Sequence, residues 1–315
     1  MSSTTVSAPL DPTFRNYTPE QAAAYARGRG ESATDVIQET LAFHLAGGGS
    51  LEMALDVGCG TGQAARVLAP HFSRVVGVDP GAQMVEQARQ AAGETRSGEP
   101  VEFEVLAAEE LASSRIVQPG SVDLLTSAMA AHWFRMDEFW RQAARMVKPG
   151  GTVALWTHAS LFCHPSTPNA AAVQEALSHL EDSILGPFEG PALHLSRTMY
   201  DTLPLPWSIE PPVAAFSAGN FVRKEWNRGG KLEDGAVDFF AGGREQSLDE
   251  LAQGLDTASM VTRWRQAHPD CVGTEEDCVR VTVRRIAEVV GKDQADIRLK
   301  LGSATALLLF RRGPD

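Results

Sequence analysis

From about residue 51 the chain sets short apolar blocks between stretches with helical spacing. Five blocks read as strands: 51–57 (LEMALDV), 74–79 (RVVGVD), 101–107 (VEFEVLA), 121–128 (SVDLLTSA) and 152–158 (TVALWTH). Helical patterns fall between them at 63–68, at 82 to about 92 and at 136–147, and the last stops at Lys148–Pro149–Gly150–Gly151. Strands alternating with helices through short loops predict right-handed βαβ crossovers and a parallel sheet clad by helices. Before this block, 20–45 reads as two helical pieces broken near Gly28–Gly30. The second has a Ser32 or Thr34 cap and an apolar stripe of Val36, Ile37, Leu41 and Leu45.

The pattern changes after His158. Prolines recur from Pro165 to Pro212, with helical patterns at 169–182, 247–268 and 275–290. The chain closes with 296–301, a Gly302–Ser303 turn and 304–312, which reads as a hairpin whose second strand returns to the sheet. The expected division is 1–50 as a tail and covering helices, 51–158 as the core, 159–295 as an elaboration over one sheet edge, and 296–315 as the closing hairpin.

Charge narrows the partners. The chain has 28 Lys plus Arg against 40 Asp plus Glu, a formal charge of -12, which disfavours nucleic acid and anionic lipid. No apolar run approaches the roughly 20 residues that cross a bilayer, and the first residues do not read as a secretory signal. Cys59, Cys163, Cys271 and Cys278 form no CxxC pair, so reduced thiols in a cytoplasmic protein are expected. No metal site is expected either: the histidines form no HxxxH pair.

The chemistry concentrates where the first strand ends, at Asp56-Val57-Gly58-Cys59-Gly60-Thr61-Gly62. Alternate glycines let the backbone turn tightly and approach a ligand, and the helix that follows offers free N–H donors. A dinucleotide loop would need a small residue at 63, but Gln63 stands there. The next strand ends at Asp79, a carboxylate placed to accept hydrogen bonds from both hydroxyls of a ribose. Such a loop without a pyrophosphate, joined to a ribose-gripping acid, suits an adenosine attached to an amino acid.

With LDVGCGTG, VVGVDPGAQMVEQAR, AAEEL, SVDLLTSAMAAHWF and ARMVKPGGTVALW in this order, the chain resembles class I S-adenosylmethionine-dependent methyltransferases over about 14–158. HWF and the Tyr25/Arg29 pair resemble the small-molecule group with trans-aconitate-methyltransferase-like and ubiquinone-biosynthesis-type enzymes. DTASMVTRW at 256–264 is loosely similar to that group's lid. The resemblance implies a Rossmann-like α/β fold: a mostly parallel seven-stranded sheet, helices on both faces, a C-terminal antiparallel hairpin and a helical lid. It also implies S-adenosylmethionine as cofactor. Gly58, Gly60 and Gly62 would line its methionine part, with Asp56 supporting the loop, and Asp79 would hold the ribose. Pro80 and Met84 would lie on the adenine, with Ala108 and Glu109 at its edge. Ala128 and Met129 would pass beneath the sulfonium, and Tyr17, Tyr25 and Arg29 would close over the carboxylate. Gly30 stands where many relatives carry proline after that arginine.

A carboxylate acceptor is ionised at neutral pH and needs no base, whereas an alcohol or phenol usually does. His132 and His158, just past strand ends, are the candidate bases, with Trp133 beside His132 as a substrate wall. Loop-fixing through a hydrogen bond is the other reading of His132, and a plain strand-end acid that of Asp56. The basic cluster Arg223, Lys224 and Arg228 suits either an acidic acceptor or a solvated face. The aromatic-rich insert could roof a hydrophobic acceptor or form a homodimer interface. The expected function is methyl transfer to a small molecule, at an oxygen of a carboxylate or hydroxyl of an organic acid or secondary metabolite. Carbon methylation, or a non-methylating reaction such as cyclisation on the same fold, are the alternatives.

Overall fold

The structure is a computed structural model that describes residues 14–28, 34–91, 93–240, 244–291 and 296–314. Its strands are β1 (Met53–Val57), β2 (Arg74–Asp79), β3 (Glu102–Val105), β4 (Val122–Ala128), β5 (Val147–Cys163), β6 (Phe216–Trp226), β7 (Arg244–Gln246) and β8 (Leu299–Arg312). The helices are α1 (Pro19–Gly28), α2 (Thr34–Ala46), α3 (Gln63–Leu68), α4 (Ala82–Gln90), α5 (Met136–Met146), α6 (Ala170–Ser178), α7 (Pro191–Arg197), α8 (Leu248–Asp256), α9 (Ser259–Ala267) and α10 (Cys278–Val290). The sheet order is β3-β2-β1-β4-β5-β8-β6, with β7 beside β8. β1 to β5 are parallel, and β8 runs antiparallel to β5, β6 and β7.

Alternation along the central strands explains the two helical layers. Leu55, Val57, Val153, Leu155, Leu308 and Phe310 point to the face covered by α5, where Phe139, Trp140 and Ala143 are fully buried. Ala54, Ala154, Trp156, Leu307 and Leu309 point to the other face, covered by α2, α3 and α4. Both faces must be apolar for such a sheet to bury itself, which is why these strands lack polar alternation. Residues of α6, α8 and α10 form a smaller core with Ile297, Leu299 and Leu301.

Four expectations need correction. The sheet has eight strands, and its C-terminal element is not a hairpin but one continuous strand of 14 residues. Gly302 and Ser303 remain paired with Phe162 and Leu161 across from β8, next to a register shift in β5 between His158 and Leu161. A Cβ at Gly302 would lie 2.3 Å from Cδ2 of Phe239, so the glycine there admits a ring rather than a turn. The stretch 159–295 also supplies β6 and β7 to the sheet edge rather than only covering it. The Lys148–Gly151 segment likewise stays within β5, as an irregularity between the pairs Val122–Val147 and Leu124–Thr152.

Candidate active site

Strand order reverses between β2-β1 and β4-β5, and the loops leaving the carboxyl ends of these strands diverge there. They enclose a cavity of about 380 Å³. Its wall contains Tyr25, Gly58, Gly60, Asp79, Pro80, Met84, Ala108, Glu109, Ala128, Met129, His132, Trp133 and His158. Residues drawn from six separate stretches of sequence therefore converge on one space.

The glycine loop is held by backbone bonds: the Gly58 and Cys59 N–H groups donate to the Val78 carbonyl at 2.8 and 3.0 Å. Gly58 has φ +68°, and a Cβ there would sit 2.5 Å from that of Ala130, so the position excludes a side chain on two counts. At Gly60, φ is +53° and the nearest atom to an added Cβ is Met84 Cε at 3.7 Å, so the backbone itself forms the wall.

Asp79 ties this loop to the next. Its Oδ2 accepts from the Gly60 N–H at 3.0 Å and its Oδ1 from the Gly81 N–H at 2.8 Å. Each carboxylate oxygen has a further lone-pair site, so the group retains acceptor capacity at the cavity wall. Burial pushes its pKa up, while the Gly81 and Gly60 N–H groups and the Arg15 guanidinium pull it back. Arg15 borders the same cavity.

Asp56 is a different kind of acid. It is wholly buried behind the wall, its Oδ1 accepts from the Thr126 hydroxyl at 2.8 Å, and its Oδ2 has no hydrogen-bond partner. Desolvation pushes its pKa up to about 7, with Thr126 opposing and Asp79 adding to the rise. Its hydroxyl partner is on β4, and the Ala65 N–H of α3, which follows the glycine loop, also opposes the rise.

Two further residues expected as direct contacts also stand behind the wall. Gly62 precedes α3 at φ +84°, where a Cβ would meet Phe103 at 2.9 Å. Tyr17 packs edge-on against Phe14 (5.2 Å between centroids) and Tyr25 (6.3 Å). Arg29 lies outside the described residues.

The acceptor end of the cavity is built on single turns. Met129 takes φ +54°, its N–H donating to the Trp156 carbonyl at 3.0 Å. The Glu109 carboxylate accepts from the Arg135 N–H at 2.8 Å and fixes the loop carrying 131–133. His132, 6% exposed, has its Nδ1 3.0 Å from the Tyr200 hydroxyl. His158 has its Nδ1 2.9 Å from Thr305 Oγ1.

Several wall residues carried no readable signal. Phe14 and Arg15 come from the polar first segment, and Leu193 and Ser196 from the proline-rich stretch. Ala258, Ser259 and Met260, by contrast, fall within the 256–264 segment that resembled a lid, where the expected 247–268 helix breaks into α8 and α9. The basic cluster is not part of the wall. Arg223 and Arg228 pair with Asp201 and Glu225, and Lys224 with Glu39 at 2.5 Å. Cys59 does border the cavity, but burial pushes its thiol well above the ordinary range. Among the described residues no three His, Cys, Asp or Glu side chains gather as a metal site, and no helix is long and apolar enough to cross a membrane.

Comparison with known proteins agrees with this geometry. Residues 55–155 match the family model described as a methyltransferase domain. The chain is 32% identical over 136 residues to the Saccharomyces cerevisiae protein named "Probable S-adenosylmethionine-dependent methyltransferase CRG1", covering 43% of this chain and 45% of that one. It is 28% identical over 223 residues to the methyltransferase cfoB of Aspergillus candidus, covering 69% and 67%. The match thus spans less than half the length of the yeast relative. A solved structure of a candidate type II methyltransferase from Anaeromyxobacter dehalogenans aligns with TM-score 0.59 at 24% identity, over 88% of this chain and 97% of that one, and shares its fold. The matched methyltransferase domain, residues 55–155, carries the glycine loop and ends on β5 inside this sheet order, so this stretch is similar to S-adenosylmethionine-dependent methyltransferases.

Proposed function

We propose that the chain is a cytoplasmic S-adenosylmethionine-dependent methyltransferase whose acceptor is a small molecule, methylated at a carboxylate or hydroxyl oxygen. The observation that carries the reading is the Asp79 carboxylate. Both its oxygens are already fixed by backbone N–H groups, yet it stands at the cavity wall beside a loop where Gly58 and Gly60 expose backbone. That combination fits a vicinal diol: two acceptor oxygens held rigidly, with backbone close enough to touch the rest of the nucleoside.

In this reading Asp79 takes the ribose hydroxyls, Met84 and Pro80 lie on the adenine, and Ala108 and Glu109 meet its edge. Gly58 and Gly60 face the methionine part, with Tyr25 above it and Ala128 and Met129 beneath. When bound, S-adenosylmethionine supplies a methyl group already activated on a sulfonium. The protein's own task is then alignment and exclusion of water. Trp133, Phe134, Trp156, Leu193 and Met260 supply apolar wall for that purpose, and His132, His158 and Ser196 bring polar groups to the same space. A cavity of this composition suits a mostly apolar acceptor with one polar head.

The test incubates the protein with methyl-labelled S-adenosylmethionine and a small-molecule extract, with Asp79→Ala as control. The expected result is label in the extracted small molecules, lost in the variant. Alkaline hydrolysis separates products: a methyl ester releases its label, whereas an ether or carbon-bound methyl retains it. Absence of transfer, or label found only on carbon, would contradict the proposal.

A further inference from the structure

Behind His132 lies a construction that the cofactor cradle does not explain. Met199 and Tyr200, both buried and neither glycine, adopt consecutive left-handed conformations with φ +55° and +62°. Such a conformation is strained for a residue with a Cβ and persists only where surroundings impose it. Here Arg223 of β6 imposes it: its Nη2 donates to the Met199 carbonyl at 2.7 Å and its Nη1 to the Tyr200 carbonyl at 3.3 Å. Asp201 at 2.7 Å and Glu225 hold the guanidinium in turn, and Arg228 braces both acids.

What this achieves is the aim of one side chain. The Tyr200 ring, 1% exposed, passes under the turn at Ala131–Trp133 and brings its hydroxyl 3.0 Å from His132 Nδ1. The Thr157 hydroxyl and the backbone N–H groups of His132 and Ala131 also face the phenol oxygen. Backbone N–H groups can only donate and the Thr157 hydroxyl can donate to it as well, which leaves the phenol with its own hydrogen to give. The acceptor for that hydrogen is Nδ1.

We propose that Tyr200 is a positioning residue that donates to Nδ1 of His132, fixing the neutral ring with its proton on Nε2. His132 then serves the acceptor site as a hydrogen-bond donor rather than a base. A ring held as a donor offers no base, which suits an oxygen that is already ionised, so the acceptor class is a carboxylate rather than a neutral alcohol. This inference rests on the proposed function for its meaning at the acceptor, but the proton's position can be read without any substrate.

The experiment is a long-range proton–nitrogen correlation spectrum of protein labelled with 15N-histidine, with His132→Gln identifying the His132 signals by their loss. In the parent protein the expected pattern is an unprotonated Nδ1 and a protonated Nε2. In Tyr200→Phe the two nitrogens should move toward averaged values as the tautomers mix. A protonated Nδ1 in the parent, or an unchanged pattern in Tyr200→Phe, would overturn the proposal. Should Tyr200→Phe fail to fold, the parent spectrum alone still decides whether Nδ1 accepts. A correct tautomer without methyl transfer would sink the proposed function and leave the positioning role standing.

Discussion

Single residues at this site show which positions backbone geometry alone demands. Gly58 combines φ +68° with a neighbour 2.5 Å from where its Cβ would be. Gly58→Ala should therefore lose roughly 2–4 kcal/mol of stability, the sum of a left-handed alanine and an overpacked contact. Urea denaturation checks this. Asp56 yields a pH prediction whose sign follows from its raised pKa of about 7. Between its unfolded value and about 7 the folded chain binds a proton that the unfolded chain does not, so stability from this group falls as pH rises through that window. Thermal melts of the parent and Asp56→Asn, from about pH 5 to about pH 8, should show the parent losing ground to the variant. A constant difference across the series would contradict the buried, half-partnered geometry. At this scale the sequence was informative wherever a residue type has one strong use. Alternate glycines and a strand-end aspartate are such cases, and both Gly58 and Asp79 border the cavity. Tyr200 was illegible, because its aim depends on Arg223, 23 residues further along, and on backbone angles no side-chain pattern announces.

At the scale of elements, β1 to β5 were readable because a strand buried on both faces must be apolar along its length. The misreading came at the C-terminus. A Gly-Ser pair between apolar runs is the local mark of a turn, yet β8 runs through it. The competing use of glycine, close approach of another group, is decided by Phe239, 63 residues earlier in the chain and invisible to any local pattern. Gly302→Ala should accordingly displace the Phe239 ring and cost about 1–3 kcal/mol. The check is the denaturation midpoint; a variant as stable as the parent would mean the strand needs no glycine. The break between α8 and α9 was equally hidden, since both halves carry one continuous helical pattern.

For the whole molecule, the parallel half of the sheet places the cofactor cradle, and the long strands β5 and β8 carry His158 and its partner Thr305 to the acceptor end. The stretch after β5 then does two jobs: it adds β6 to the edge, and it supplies Leu193 and Ser196 to the cavity wall and Tyr200 behind His132. The core was legible because its motifs are local. The acceptor end was legible at His132, Trp133 and His158, while the rest of its wall comes from segments whose only common property is where the fold delivers them.

The most direct test of the account is a calorimetric titration of the parent and Asp79→Ala with S-adenosylhomocysteine. One saturable site in the parent, weakened roughly 10- to 100-fold in the variant, is the expected result, corresponding to about 1–3 kcal/mol for ribose hydroxyls left unpaired. No binding to the parent, or equal affinity in both proteins, would contradict it.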